Sequence, residues 1–238
     1  MVKISVIIPT LNEESYIGKT LSALKPQLGK GDEMIIVDSF SKDNTVKIAK
    51  KFGARVVSIP RCGIGPAKTF GAKKAKNKII AMLDADGIPA SDWLNRIRNH
   101  FENKNIDSVT GLDLYAGPTR AKTFIYIAFS WIVFQLGKLN YFVNKVPWMA
   151  VNNCAIKKNI FFKYGGLHNV VCEDFDLAQR AKGIYHFYDK KMKVTLSDRR
   201  FKVEGFIKTV LLWIKSDIAI FRNKNKIVAT EYSVVRKI

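Results

Sequence analysis

Two aspartates separated by one residue, Asp84 and Asp86, directly follow an apolar run over residues 79–83. Neighbouring carboxylates repel one another unless a cation joins them. A divalent ion that prefers oxygen ligands, Mn²⁺ or Mg²⁺, supplies that cation and can bridge to a diphosphate. Asp38 stands in a similar place, at the end of the apolar run 34–37. The plainer reading is that an Asp-x-Asp makes a turn and that Asp38 caps the next helix.

These carboxylates can act together only if a sheet brings the ends of their strands to one edge. Residues 4–9 form a short apolar run ending in Pro-Thr, which predicts a buried strand. Residues 14–28 carry Ile17, Leu21, Leu24 and Leu28 at helical spacing. Residues 34–37, 55–59 and 79–83 predict further strands. Residues 43–52, with Ser41 or Asp43 as N-cap and Gly53 as stop, and residues 66–76 predict helices between them. This alternation predicts an α/β fold with a mainly parallel sheet covered on both faces. Ligands of such sheets bind outside the carboxyl ends of the strands, where Asp38, Asp84 and Asp86 stand. If the extended geometry persists past residue 83, Asp84 and Asp86 point to the same side.

The segments SVIIPTLNEE, IIVDSFSKDNT, RCGIGPAKTFGAKKAK, AMLDADGIPASDWL and GGLHNVVCEDFDLAQRAK occur in that order. Together they resemble a family 2 inverting glycosyltransferase with the GT-A fold, over residues 3–200. The resemblance implies a Rossmann-like sheet flanked by helices and a nucleoside-diphosphate sugar as donor, of UDP or GDP type. It implies that Pro9, Thr10, Asn12 and Glu13 form the first nucleotide-binding loop and that Asp38 recognises the base or ribose. Arg61 and Lys68 then lie in the segment passing the nucleotide and its phosphates, although both could be solvated surface charges. Asp84 and Asp86 match the metal-binding Asp-x-Asp. Glu173 and Asp174 match the Glu-Asp pair, with Asp174 as the base that takes the acceptor proton. As ordinary first-turn acids they would gain about 0.3–1 kcal/mol each from the helix dipole. Arg199 and Arg200 resemble a basic pair that faces the diphosphate or an anionic acceptor.

Two departures from the family pattern carry meaning. A double acid is common at the second strand end, and here it is Asp38-Ser39. No Gln-x-x-Arg-Trp follows the Glu-Asp pair, which argues against a processive polymerase.

The 238 residues carry 40 Lys and Arg against 20 Asp and Glu, a formal charge of +20, and 47% are hydrophobic. This composition excludes a disordered or low-complexity chain. The charge suits a phosphorylated substrate, an anionic membrane or nucleic acid, or simply a Lys-rich solvated surface. Basic residues are spread along the chain and no nucleic-acid motif occurs, so no nucleic-acid partner is expected. A sugar-phosphate nucleotidyltransferase would need a basic Gly-rich loop after the first strand. Thr10-Leu11-Asn12-Glu13-Glu14 stands there instead. Three cysteines without a C-x-x-C indicate a reducing compartment, and the start MVKISVIIPT reads as a strand, not a signal peptide. His100, His168 and His186 lack metal-ligand spacing; His168 is a weak candidate for the acceptor site.

Residues 1–200 are expected to form the transferase domain, with a nucleotide half to about 117 and an acceptor half over 118–200. Residues 146–153 are expected to border the acceptor, with Trp148 either stacking on a sugar or packing in the core. Residues 123–136, TFIYIAFSWIVFQL, are apolar nearly all round. They are shorter than the roughly 20 residues of a membrane span, so they predict a core helix or one lying in a membrane interface. Residues 205–221 read as a second amphipathic helix, within a C-terminal segment 201–238. Together with the charge, they suggest peripheral contact with an anionic cytoplasmic membrane face and a glycan or lipid-linked acceptor.

Overall fold

The computed structural model describes residues 1–102 and 105–222. The sheet has eight strands: β1 (Ile4–Thr10), β2 (Glu33–Asp38), β3 (Arg55–Ser58), β4 (Ile79–Leu83), β5 (Ile88–Pro89), β6 (Ser108–Ala116), β7 (Asn153–Lys157) and β8 (His186–Ser197). Their spatial order is β3-β2-β1-β4-β7-β6-β8-β5. The expected first half is present: β1 pairs in parallel with β2 and β4, and β2 with β3. In the second half β7 runs antiparallel to both β4 and β6, and β8 runs parallel to β6.

Alternation along β1 sends Ile4, Val6 and Ile8 to one face and Ile7 to the other. The first face packs on α1 (Ile17–Leu24), α2 (Thr45–Lys51) and α4 (Trp93–Glu102). The second packs on α3 (Ile64–Lys74), α6 (Lys158–Lys163) and α7 (Glu173–Arg180). Helix α3 sits very close to the sheet. A Cβ at Gly71 would lie 2.6 Å from Ile7 Cγ2 and 2.7 Å from Val37 Cγ2. Helix α1 is shorter than its apolar spacing suggested, because the Glu13 carbonyl accepts from the Tyr16 and Ile17 N–H groups (3.0 and 2.9 Å) and folds the preceding residues into a turn.

Helix α5 (Arg120–Asn144) is longer than its apolar run and is not a core helix. Tyr126, Ser130, Phe134 and Gly137 face inward, whereas Phe124, Ile132, Leu139 and Phe142 are exposed. At Gly137 a Cβ would lie 2.9 Å from Trp148 Cβ, so a bare backbone lets the helix dock there. After the short α8 (Arg199–Glu204), α9 (Phe206–Phe221) repeats the pattern. It buries Thr209, Ser216 and Ile220 and exposes Ile207, Leu211 and Phe221. Among the described residues no helix is long and apolar enough to cross a membrane. The remainder of the expected C-terminal segment, residues 223–238, lies outside the described residues.

Candidate active site

A cavity of about 670 Å³ opens at the carboxyl ends of β1, β4 and β8. Pro9, Thr10, Glu13, Arg61, Lys68, Asp84, Asp86, Glu173, Asp174, Arg199 and Arg200 all line it. Residues far apart in sequence therefore meet because the parallel strands end at one edge.

Asn12 and Asp38 lie beneath this wall rather than on it. The Asn12 N–H donates to Ser41 Oγ (2.9 Å), and its Oδ1 accepts from the Lys42 N–H (2.8 Å). Asp38 is buried and accepts from Thr10 Oγ1 (3.1 Å) and the Ser41 N–H (2.9 Å). These bonds join the loops after β1 and β2. Neighbouring Ser39 is the residue of that strand end that reaches the cavity.

The strand geometry stops at Leu83. The Gly87 N–H donates to the Asp84 carbonyl (3.0 Å), so a turn, not a continued pleat, brings Asp84 and Asp86 to the cavity. Each carboxylate meets a cation. Lys68 is 1% exposed, its stem packed in α3, and its Nζ lies 2.7 Å from Asp84 Oδ1 while donating to the Val151 carbonyl (2.8 Å). A Lys can be buried this deeply only because its charge is paired. The coulombic pull of Asp84 and Glu173 outweighs desolvation and raises its pKa. Arg199 forks onto both oxygens of Glu13 (2.7 and 2.8 Å) and places Nε 3.0 Å from Asp86 Oδ2. Its guanidinium lies 4.7 Å from the Tyr16 ring centroid. Burial pushes Asp86 up to about 6, aided by Asp84 and Glu13 and opposed by Arg199.

Opposite stands the start of α7. Cys172 adopts a left-handed conformation (φ 58°), costly for a side-chain-bearing residue, and turns the chain so that Glu173 and Asp174 open the helix inside the cavity. Arg180 locks this segment through Asp176 (2.8 Å), the Gly166 carbonyl (2.7 Å) and the Tyr164 carbonyl. Burial raises both Glu173 and Asp174 above the usual carboxylate range; Asp217 on α9 adds to the effect on Asp174.

The sequence reasoning missed Asp113 and Asp217. Both line the cavity, and each keeps one buried oxygen without a hydrogen-bond partner. Asn152 Nδ2 donates to Asp113 Oδ2 (3.0 Å), and burial pushes Asp113 up to about 7. A lone acid within the strand sequence SVTGLDLYA, between apolar neighbours, was the available signal. Trp148 lines the cavity, with its backbone N–H donating to Tyr188 Oη (2.7 Å). The histidines serve the scaffold: His168 Nδ1 contacts Asp176 (2.8 Å), His186 Nδ1 meets Ser108 Oγ (2.6 Å) and His100 Nε2 meets Asp189 (2.9 Å).

Among the described residues no three His, Cys, Asp or Glu side chains converge as a complete metal cage. Asp84 and Asp86 nonetheless fit a hard divalent ion, which takes one or two carboxylates and completes its shell with water and substrate phosphate.

Residues 5–165 match the profile of Glycosyl transferase family 2. An uncharacterized glycosyltransferase of Mycobacterium tuberculosis is 35% identical over 108 residues, 45% of this chain and 47% of that protein. One from Rickettsia typhi is 33% identical over 129 residues, 52% of this chain and 43% of that protein. The matched region thus spans about half the length of these relatives. Glucosyl-3-phosphoglycerate synthase from M. tuberculosis, solved with Mn²⁺, UDP and phosphoglyceric acid, superposes with a TM-score of 0.64 at 20% identity, covering 93% of this chain and 78% of that one. The mannosyltransferase PcManGT from Pyrobaculum calidifontis, solved with GDP-Man and Mn²⁺, gives 0.62 at 17% identity, covering 89% and 64%. TarS from S. aureus, residues 1–349 with UDP-GlcNAc, gives 0.64 at 16% identity, covering 82% and 58%. The fold is that of the GT-A glycosyltransferases, and the chain belongs to glycosyl transferase family 2.

Proposed function

We propose that this chain moves a sugar from a nucleoside-diphosphate sugar, of UDP or GDP type, to an acceptor hydroxyl, with inversion at the anomeric carbon. The observation that carries this reading is one cavity holding both the cation-braced Asp84 and Asp86 and the acidic pair Glu173 and Asp174. Such a site can stabilise a leaving diphosphate on one side and accept a proton on the other.

In this reading the loop with Pro9, Thr10 and Glu13 holds the nucleoside, and Asn12 and Asp38 fix that loop's shape. Arg61 faces the diphosphate. Asp86, with Asp84, would hold Mn²⁺ or Mg²⁺, and such an ion would supply positive charge against the leaving diphosphate. Lys68 and Arg199 keep the two aspartates in place and add positive potential. Asp174 takes the proton from the attacking hydroxyl. Its raised pKa brings it toward operating pH, as a general base requires. A single displacement by that hydroxyl, from the face opposite the leaving group, inverts the centre.

The outward apolar faces of α5 and α9 and the net charge of +20 support peripheral contact with an anionic cytoplasmic membrane face. Sedimentation with anionic vesicles at low salt, lost for Phe124→Ser/Ile207→Ser, is the expected outcome; equal sedimentation of wild type and variant would reject that contact.

A thermal-shift panel of UDP, GDP and CDP and their sugars, each with Mn²⁺, Mg²⁺ or EDTA, tests the donor reading. One nucleotide should raise the midpoint, and both EDTA and Asp86→Ala should abolish the rise. No shift with any nucleotide, for a folded protein, would overturn it.

A further inference from the structure

The carboxylate-bearing cavity does not end at Asp174. It continues along an apolar wall built by Ile132, Val133 and Leu136 of α5 and Val210, Trp213 and Ile214 of α9. Three of these lining residues also reach the surface: Ile132 is 57% exposed, Leu136 56% and Ile214 49%. The wall is therefore continuous with the outer apolar faces of the same two helices. Aromatic contacts join them, with Phe129 and Tyr126 of α5 at 5.3 and 5.0 Å from Phe206 of α9. The Cys172 thiol, beside the acidic pair, lies 3.8 Å from the Trp213 carbonyl, so this wall adjoins the start of α7. A fully hydrophilic acceptor would leave such a wall against water, and an apolar chain would bury it.

Charge decides what the head of that acceptor can be. Glu13, Asp84 and Asp86 are each ion-paired, to Arg199 or Lys68. Asp113, Glu173, Asp174 and Asp217 line the same cavity, and among the described residues none forms an ion pair within 4.0 Å. Arg200 is held by Glu204 (3.1 Å), and Arg61 is committed to the diphosphate in the transferase reading. An anionic head would approach four acidic groups that have no direct ion-pair partner to offset it. Hydroxyl groups instead find acceptors in the carboxyl groups of Asp113, Glu173, Asp174 and Asp217 that line the cavity.

We infer that the acceptor is an amphiphile: an uncharged, hydroxyl-bearing head at the carboxylates, as in a glycosylated or glycerol lipid, and an apolar chain between α5 and α9. This deepens the transferase reading and rests on it.

The test is calorimetric titration of the full chain with methyl, hexyl and octyl β-glucoside, all below micelle-forming concentrations, and with octyl phosphate. The dissociation constant should fall with chain length, by up to about fourfold per methylene buried. Val210→Trp fills the compartment and should weaken octyl glucoside about fiftyfold, equivalent to roughly three methylenes excluded. Ile207→Ser, on the outer face, should leave binding unchanged. Octyl phosphate should bind more weakly than octyl glucoside. Equal binding of the methyl and octyl compounds would overturn the apolar compartment. So would a loss that follows Ile207→Ser and spares Val210→Trp, which marks surface adsorption. Tighter binding of octyl phosphate would overturn the uncharged head. Should Val210→Trp not fold, Val210→Ser serves, with a smaller expected loss. The nucleotide thermal shift separates the two readings: a shift retained without chain-length dependence rejects only this inference, and its absence rejects the transferase itself.

Discussion

Asp113 offers a sharp test of the electrostatics, because its cost to the folded state depends on pH in a calculable way. Burial moves its carboxyl from 3.8 to about 7, with Asp84 and Asp174 adding to the rise and Asn152 opposing it. The folded state then holds a proton that the unfolded state has released between about pH 4 and 7. Stability must therefore fall as pH rises through that window. At about 1.4 kcal/mol per pH unit, the loss approaches 4 kcal/mol once pH exceeds the folded value. Asp113→Asn removes the ionisation and keeps an oxygen to accept from Asn152 Nδ2. Its amide also places N–H donors where a partnerless oxygen stood, which costs about 1–3 kcal/mol at every pH. A comparison at one pH is thus ambiguous, whereas the slope is not. Urea unfolding followed by tryptophan fluorescence, from pH 4.5 to 8, should show the variant gaining about 3 kcal/mol relative to wild type as pH rises. Parallel stability profiles for the two proteins would refute the reasoning.

Four further outcomes follow from the same geometry. Arg199→Met keeps an apolar stem beside Tyr16 but strips the charge from Glu13 and Asp86; it should cost about 3 kcal/mol at pH 8, and less at pH 5 where Asp86 is protonated, by the same urea assay. Asp174→Asn should lower sugar transfer by about 10²–10⁴-fold while leaving the nucleotide thermal shift intact. Wild-type transfer should rise from pH 5 to 8, since burial and Asp217 hold the base above the usual carboxylate range. Gly71→Ala forces a methyl against Ile7 and Val37 and should cost about 1–3 kcal/mol in urea, and the displaced α3 should weaken the nucleotide shift by disturbing Lys68.

The parallel half of the sheet was legible because β1, β2 and β4 are continuous apolar runs buried on both faces, each closed by a polar turn. The second half was not. Strands β6 and β8 mix polar and apolar residues, and β7 takes its place by antiparallel insertion between β4 and β6, which no local pattern announces. Asp84 and Asp86 were legible as a site, but the turn that aims them was not, since one hydrogen bond from the Gly87 N–H to the Asp84 carbonyl closes it. Lys68 reads in sequence like any basic helix residue, and only its tertiary contacts with Asp84 and the Val151 carbonyl show how it is buried. Asp113 and Asp217 belong to no recognisable motif, so their role depends on tertiary placement alone. The all-round apolarity of residues 123–136 fitted a core helix or one lying in a membrane interface; the structure shows a helix half buried and half exposed, which leaves out the core helix.

Arg199 explains how the last helices belong to the site. It starts α8, yet its guanidinium grips Glu13 in the loop after β1 and Asp86 in the turn after β4. The α8–α9 pair is thereby tied to the carboxyl edge of the sheet by a fork with both oxygens of one carboxylate, the geometry in which Arg pairs most strongly. From the other direction, α9 carries Asp217 and Trp213 into the cavity beside the start of α7. One helix therefore bears an outward apolar face, a wall of the cavity and the carboxylate that pushes Asp174 upward. If α9 docks on a membrane as proposed, its orientation and the protonation of the base are set by the same element. Removing Arg199 should then lower nucleotide binding and vesicle binding together, whereas Asp174→Asn should affect neither.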